Sequence, residues 1–255
     1  MSSDLTGKIA LVTGGSRGIG RAIARRLAAD GATVAITYNA NEARADETVA
    51  AIEDTGGTAF ALQADLLDAG AIPRLFEEFD RQLMDRTGGK RLDILVNNAG
   101  NEGWANLSDA TPEAWDAIFA VHARAPFFMV QSALDRFSGE GRIINLSSGL
   151  STRPLPAASV YSTAKAAINA LTHVLAMELG PRGITVNAVA PGWTATDMNA
   201  AVRENGDMMK GIEAETALGR FGETSDIAAV AAFLASEDGR WVTGQVIEAS
   251  GGYRL

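Results

Sequence analysis

The sequence predicts an α/β protein: one doubly wound, parallel sheet of seven strands with helices on both faces. Two observations carry this expectation. Seven short runs rich in β-branched residues alternate with longer runs of helical periodicity, the pattern of a chain that crosses over after each parallel strand. Several of the short runs are apolar almost without interruption, as strands covered on both faces must be.

The elements follow in order. "KIALVTGG" (8–15) is the first strand, and Ile19, Ile23 and Leu27, four apart, mark the first helix. "TVAITY" (33–38), a helix over 42–54, "TAFALQAD" (58–65), a helix over 69–86 and "LDILVNNAG" (92–100) come next. Thr111-Pro112-Glu113 reads as an N-cap followed by proline at the first helical position, opening a helix over 112–137. "GRIINLSS" (141–148), a helix over 160–179, "ITVNAVAPG" (184–192), a helix over 225–236 and "GQVIEAS" (244–250) complete the series. Gly31, Gly56-Gly57 and Gly180-Pro181 stand where helices should end. No break in composition and no repeat divides the chain, so residues 1–255 are expected to form one domain. The least regular stretch, 191–222, follows the C-terminal end of a strand, where ligands bind in such sheets. It is expected to be a mobile substrate lid with a short helix.

Composition narrows the function. Apolar residues make up 47% of the 255, enough for a sizeable core. The net charge of −9 disfavours nucleic acids and anionic membranes as partners. There is no cysteine, and His122 and His173 lie far apart without metal-ligand spacing, so no metal is expected. The N-terminus lacks the basic start and long apolar run of a signal peptide, and no run of 18 apolar residues occurs, which makes the cytoplasm the expected compartment.

Two stretches carry chemistry. "VTGGSRGIGRAIARRL" leaves the first strand and enters the first helix. Gly14, Gly18 and Gly20 permit a tight turn and close backbone approach to a diphosphate, and the helix N-terminus adds free N–H groups and a positive dipole end. Ser16, Arg17 and Ile19 fill the same turn. Tyr38, followed by Asn39, stands at the end of the second strand where an acid would favour a ribose 2′-hydroxyl. With no acid there and Arg17 nearby, NADP(H) is expected over NAD(H). "VYSTAKAAINALT" (160–172) places Tyr161 and Lys165 four apart, on one face of a helix. A lysine on an apolar face needs a partner. An ammonium near a tyrosine favours the phenolate and can tune it for proton transfer.

"TGGSRGIG", "NNAG" (97–100), a serine ahead of "YSTAK", and "PGWTATDM" occur in the order found in the short-chain dehydrogenases/reductases, and the resemblance runs from Lys8 to the C-terminal "VTGQVIEASGG". It implies a Rossmann-type sheet with nicotinamide at its C-terminal edge. The family's Y-x-x-x-K motif falls on Tyr161 and Lys165, and its serine, thirteen positions before the tyrosine, on Ser148. The resemblance makes Asp65, next to Leu66, an adenine contact, and places Asn97 to Gly100, Ala99 among them, beside the cofactor. It assigns the nicotinamide carboxamide and phosphates to Thr196 and the backbone of Pro191, Gly192 and Thr194. The family usually carries a fourth residue, an asparagine that helps hold a relay water. Aligning "WDAIFAVHARAPFF" without a gap puts His122 there. His122 then joins the relay with an ionisation near neutral pH, lines the pocket, or is a satisfied core histidine. The first is the working expectation.

Residues following strand ends are pocket candidates: Trp104, Leu150, Arg153, Trp193 and Met198, with Asn101 and Leu155. The tryptophans suggest a flat or apolar substrate, and Arg153 either meets an acidic group on it or, as is commoner for a loop arginine, is solvated. Some members of the family reduce acyl groups on a carrier protein through a basic patch. Here "RFSGEGR" has few bases, so a free small ketone, quinone-like or polyketide-like, is expected. The resemblance also implies a homotetramer or homodimer, and "APFFMVQSAL" and "AINALTHVLAMEL" are apolar enough for it. The rivals to an NADP(H)-dependent carbonyl reductase are an NAD(H)-linked alcohol or sugar dehydrogenase and a nucleotide-binding sensor or scaffold without turnover.

Overall fold

All seven expected strands form, and all pair in parallel. They are β1 (Ile9–Val12), β2 (Thr33–Tyr38), β3 (Thr58–Gln63), β4 (Ile94–Asn97), β5 (Gly141–Leu146), β6 (Ile184–Pro191) and β7 (Val246–Ala249), in the order β3-β2-β1-β4-β5-β6-β7. The computed structural model describes residues 4–255; the first three residues of the N-terminus fall outside the described residues. The strand order reverses between β1 and β4, and the crevice beyond their C-terminal ends is where such sheets bind ligands.

The strand period of two divides the core into two layers. Ala10 and Val12 of β1 face α1 (Gly18–Ala29) and α9 (Thr224–Ala235), where Ile23, Leu27, Ile227 and Leu234 are buried. Ile9 and Leu11 face the other way, against Leu75, Phe76 and Phe79 of α3 (Ala71–Thr87). Helix α2 (Glu42–Glu53) starts at Asn41, whose side chain accepts the Arg44 N–H at 3.1 Å.

The helix expected over 112–137 is not continuous. Thr111 caps α4 (Pro112–Phe119) by accepting the Ala114 N–H at 3.2 Å, but residues 120–124 form a wide π turn before α5 (Ala125–Ala133). The cause is legible in hindsight: Pro126 has no N–H to donate to the His122 carbonyl four residues back. The turn carries His122, which is buried. The stretch Pro112–Arg136 has the length and composition of a membrane span, yet half of its most apolar window is buried inside the protein, as in a core helix.

The segment after β6 holds two short helices rather than one, α7 (Ala200–Glu204) and α8 (Gly206–Ala214). Ile212, Phe221 and Tyr253 give it a small apolar cluster, with Trp193, Val202 and Met209 packed against it.

Helix α6 (Ser159–Leu179) lies along β6 and buries Val160, Ala164, Ile168 and Leu175. Lys165 is buried on the same face, only 4% exposed. Its ammonium donates to the Leu146 carbonyl, the last of β5, at 2.6 Å. Burial pushes that ammonium from 10.5 down to about 7. Between these values the unfolded chain holds a proton that the folded chain has lost, so stability rises with pH across that window, and the full penalty acts below it. Lys165→Met should therefore raise the thermal midpoint by about 5 °C at pH 6, with the gain shrinking as pH approaches 10.5. Melting curves of the two proteins across this range check both sign and size.

Candidate active site

A cleft of about 470 Å³ runs along the C-terminal ends of the strands. One end is the glycine turn between β1 and α1. Gly14 and Gly18 take left-handed backbone angles, φ +65° and +56°. A Cβ on Gly20 would sit 2.3 Å from both the Gly14 carbonyl oxygen and the Asn98 amide nitrogen. No side chain larger than hydrogen fits that position. Asn98 sews the turn to the end of β4: its amide donates to the carbonyls of Thr13 (2.8 Å) and Gly14 (3.1 Å), while the Thr13 hydroxyl accepts the N–H groups of Asn98 (2.9 Å) and Ala99 (3.0 Å).

The N-terminus of α1 opens onto this turn, and Arg17 stands exposed at its cap. Ser16, Ile19, Tyr38, Asn39, Asp65 and Leu66 line the same end of the cleft. Among the described residues no salt bridge engages Arg17. The side-chain-free cradle, the free N–H groups and an unpaired guanidinium fit a dinucleotide phosphate.

Ser148, Tyr161 and Lys165 meet midway along the cleft. Ser148 ends the β5 segment and caps a 3₁₀ turn, Gly149–Ser151, by accepting the Leu150 N–H at 3.1 Å. Its own hydroxyl hydrogen remains to donate. Lys165 lies 5.6 Å from the centre of the Tyr161 ring.

The expectation that this ammonium lowers the phenol is not met in the protein alone. Burial pushes Tyr161 up to about 12, with the Ser148 hydroxyl pulling the other way. The ammonium is aimed at the Leu146 carbonyl, and desolvation outweighs it.

His122 sits edge-on to the Tyr161 ring, centroids 5.2 Å apart at 79°. Its Nε2 lies 3.0 Å from the Asn101 carbonyl, to which the Nε2–H form donates, and 3.3 Å from the Asn101 N–H, from which the other form accepts; Nδ1 is buried without a protein partner. The ring occupies the space a side chain on Gly100 would need, 2.6 Å from an added Cβ. Burial, and then the nearby Lys165 charge, push the imidazolium down to about 3. The expected ionisation of His122 near neutral pH is therefore corrected: the ring is neutral.

Other sequence-predicted residues divide. Pro191, Gly192, Thr194 and Thr196 line the cleft, as do Trp104, Leu150, Trp193, Met198 and Asn101. Asn97 does not. It ends β4 in register with Asn145 and donates to that side chain at 2.9 Å, buried beneath the floor. Leu155 is also outside the cleft walls. Arg153 lines the cleft but is paired with Glu248 at the end of β7, so it is neither the free partner of an acidic substrate nor simply a solvated loop arginine. Glu248 and Tyr253 are wall residues that the sequence reading missed. Glu248 lies 95 residues from Arg153 and carried no local signal. Tyr253 reaches the wall through a bridge to Thr216.

Comparison with known proteins agrees with this geometry. A family model described as enoyl-(acyl carrier protein) reductase matches residues 14–254. An uncharacterized oxidoreductase of Methylorubrum extorquens is 45% identical over 253 residues, covering 99% of this chain and all of that one. The promiscuous reductase LugOII, which catalyses keto-reduction at C1 during lugdunomycin biosynthesis, superposes with a TM-score of 0.95 at 48% identity, over 99% of this chain and 100% of its own. The angucycline C-6 ketoreductase LanV, solved with bound NADP, gives 0.94 at 46% identity, over 100% of this chain and 98% of its own. Likeness of this degree along the whole length leaves one assignment: the chain belongs to the short-chain dehydrogenase/reductase family and is an NAD(P)-dependent oxidoreductase acting on carbonyl and alcohol groups.

Proposed function

We propose that the protein is an NADP(H)-dependent ketoreductase for a flat, polycyclic, polyketide-like ketone, with Tyr161 as the acid. The observation that carries this reading is the meeting of Ser148, Tyr161 and Lys165 in a cleft whose far end is the glycine turn with its unpaired Arg17. The likeness to LugOII and LanV supports the ketone class. Exposed Trp104 at the mouth, with Trp193 on the opposite segment, offers flat apolar surface to fused rings. The sensor reading falls with the family's oxidoreductase character.

When bound, the dinucleotide supplies the hydride. The chain's own residues supply the proton and hold the carbonyl. Ser148 donates its hydroxyl hydrogen to the substrate oxygen and stabilises the charge that grows there. Tyr161 gives that oxygen its phenolic proton, so a ketone becomes a secondary alcohol. Lys165 has two N–H groups left after bonding Leu146, and a cation held there favours the phenolate that forms. His122 works as a neutral ring, and in its Nε2–H form the unpartnered Nδ1 accepts from a relay water. Asp65 and Leu66 flank the adenine, and Thr194 and Thr196 hold the nicotinamide end. Phe127 and Phe128 on α5 and Val174 and Met177 on α6 are exposed, which supports assembly of copies through these helices.

NADP(H) preference rests on Arg17 together with the missing acid at Tyr38. A second reading, NAD(H), has one observation in its favour: Glu42 and Asp46 lie close enough to Tyr38 to push its phenol up, beyond the effect of burial.

Three outcomes are expected. Tyr161→Phe should lower kcat/KM by about 10²–10⁴-fold while NADPH still binds, read by steady-state kinetics beside fluorescence titration. Arg17→Ala should cut the ratio of kcat/KM for NADPH over NADH by roughly 10-fold or more, the value of a charge-assisted phosphate contact; an unchanged ratio, or a parent that prefers NADH, defeats the NADP reading. His122→Asn should keep the parent's pH–rate profile, whereas loss of a limb near pH ~6.5 would show that the imidazole ionises in turnover.

A further inference from the structure

Ser148 sits on a 3₁₀ turn of three residues, an element with little stability of its own. Backbone bonding reaches it from β6, where the Val189 carbonyl accepts the Ser147 N–H at 2.7 Å, and one side chain on α6 ties it to that helix. The Ser147 hydroxyl donates to Asn169 Oδ1 at 2.6 Å. The amide of Asn169 donates to the Ser151 hydroxyl oxygen at 2.9 Å. The Ser151 hydroxyl in turn donates to the Ser148 carbonyl at 2.6 Å. The Ser147 hydroxyl also has the Lys165 carbonyl within reach at 3.4 Å, but the Asn169 oxygen is much the nearer acceptor.

Asn169 thus grips the residue before Ser148 and the residue three after it. It lies four residues beyond Lys165 and eight beyond Tyr161 on the same helix, about 12 Å further along the axis. Asn169 is absent from the cleft wall, whereas Ser147 lines the cleft beside Ser148 with only 4% of its surface exposed.

We infer that Asn169 is a positioning residue for the reaction: it locks the Ser148 turn to the helix that carries Tyr161 and Lys165, and so sets the spacing between the serine hydroxyl and the phenol. This rests on the reading of Ser148 and Tyr161 given above. The amide is needed because it accepts on one side and donates on the other. A carboxylate at 169 would still accept from Ser147 but would also draw the Ser151 hydrogen to itself, breaking the link to the Ser148 carbonyl. Displacement of a reacting group by about 1 Å costs up to about 10²-fold in rate.

The test is a double-mutant cycle, read with NADPH and a reducible ketone and paired with NADPH titration. Asn169→Asp is expected to lower kcat about 10- to 100-fold with the NADPH dissociation constant unchanged. In a Ser148→Ala background the same change should cost almost nothing further, because the group it positions is gone. Ser151→Ala, which leaves the helix untouched, should reproduce the loss and covers the case of an Asn169→Asp protein that fails to fold. Full kcat in both Asn169→Asp and Ser151→Ala, or losses that multiply in the Ser148→Ala background, would overturn the inference while leaving Ser148 in its role. A fully active Ser148→Ala would instead sink the parent reading, and this one with it.

Discussion

The structure turns on a buried ammonium. Lys165 is held inside α6's packing face by one carbonyl, that of Leu146, and only a sliver of it is exposed, toward the cleft. A charge in such a place is costly, and the site shows the cost in three groups at once. Dryness drives the ammonium down to about 7, the Tyr161 phenol up to about 12 and the His122 imidazolium down to about 3. One cause orders all three, since low polarity disfavours whichever form carries charge. A protein that needed only stability would place an apolar residue at 165.

This dryness explains how the two ends of the cleft depend on each other. The protein by itself leaves the phenol a poor acid, because burial outweighs the help that the Ser148 hydroxyl gives its conjugate base. The glycine turn, with Gly20 pressed against the Gly14 carbonyl and Asn98, is shaped for a negatively charged ligand. In the proposed reaction the negative charge brought to that end favours the ammonium of Lys165, and that ammonium in turn favours the phenolate of Tyr161. The Asn169 network serves the same end by geometry rather than charge, tying the serine turn to the helix of the other two groups.

Much of this was legible in the residues. Strands β2 and β6 lie within one residue of their sequence bounds, because continuous apolar runs between glycine-rich turns have one reading in an α/β chain. Ser148, Tyr161 and Lys165 share a cleft, as the motif order implied. The failures have physical causes. Asn97 was expected beside the cofactor, but the last strand position points down, to Asn145. Arg153 looked free because its partner Glu248 is distant in sequence. His122 was assigned a neutral-pH ionisation because its burial was unknown. The break in the helix before α5 was signalled by Pro126 and overlooked.

Sequence alone therefore determined what is local and periodic: strand and helix order, the glycine turn, and a tyrosine and lysine one helical turn apart. Those follow from the backbone's limited menu of conformations and the spacing of apolar residues along it. Tertiary structure decided what depends on a surrounding volume: which groups are dry, which arginine is already paired, and which nitrogen of His122 lacks a partner. Ionisation and pairing are set by every atom within a few ångströms, and most of those atoms arrive from distant parts of the chain.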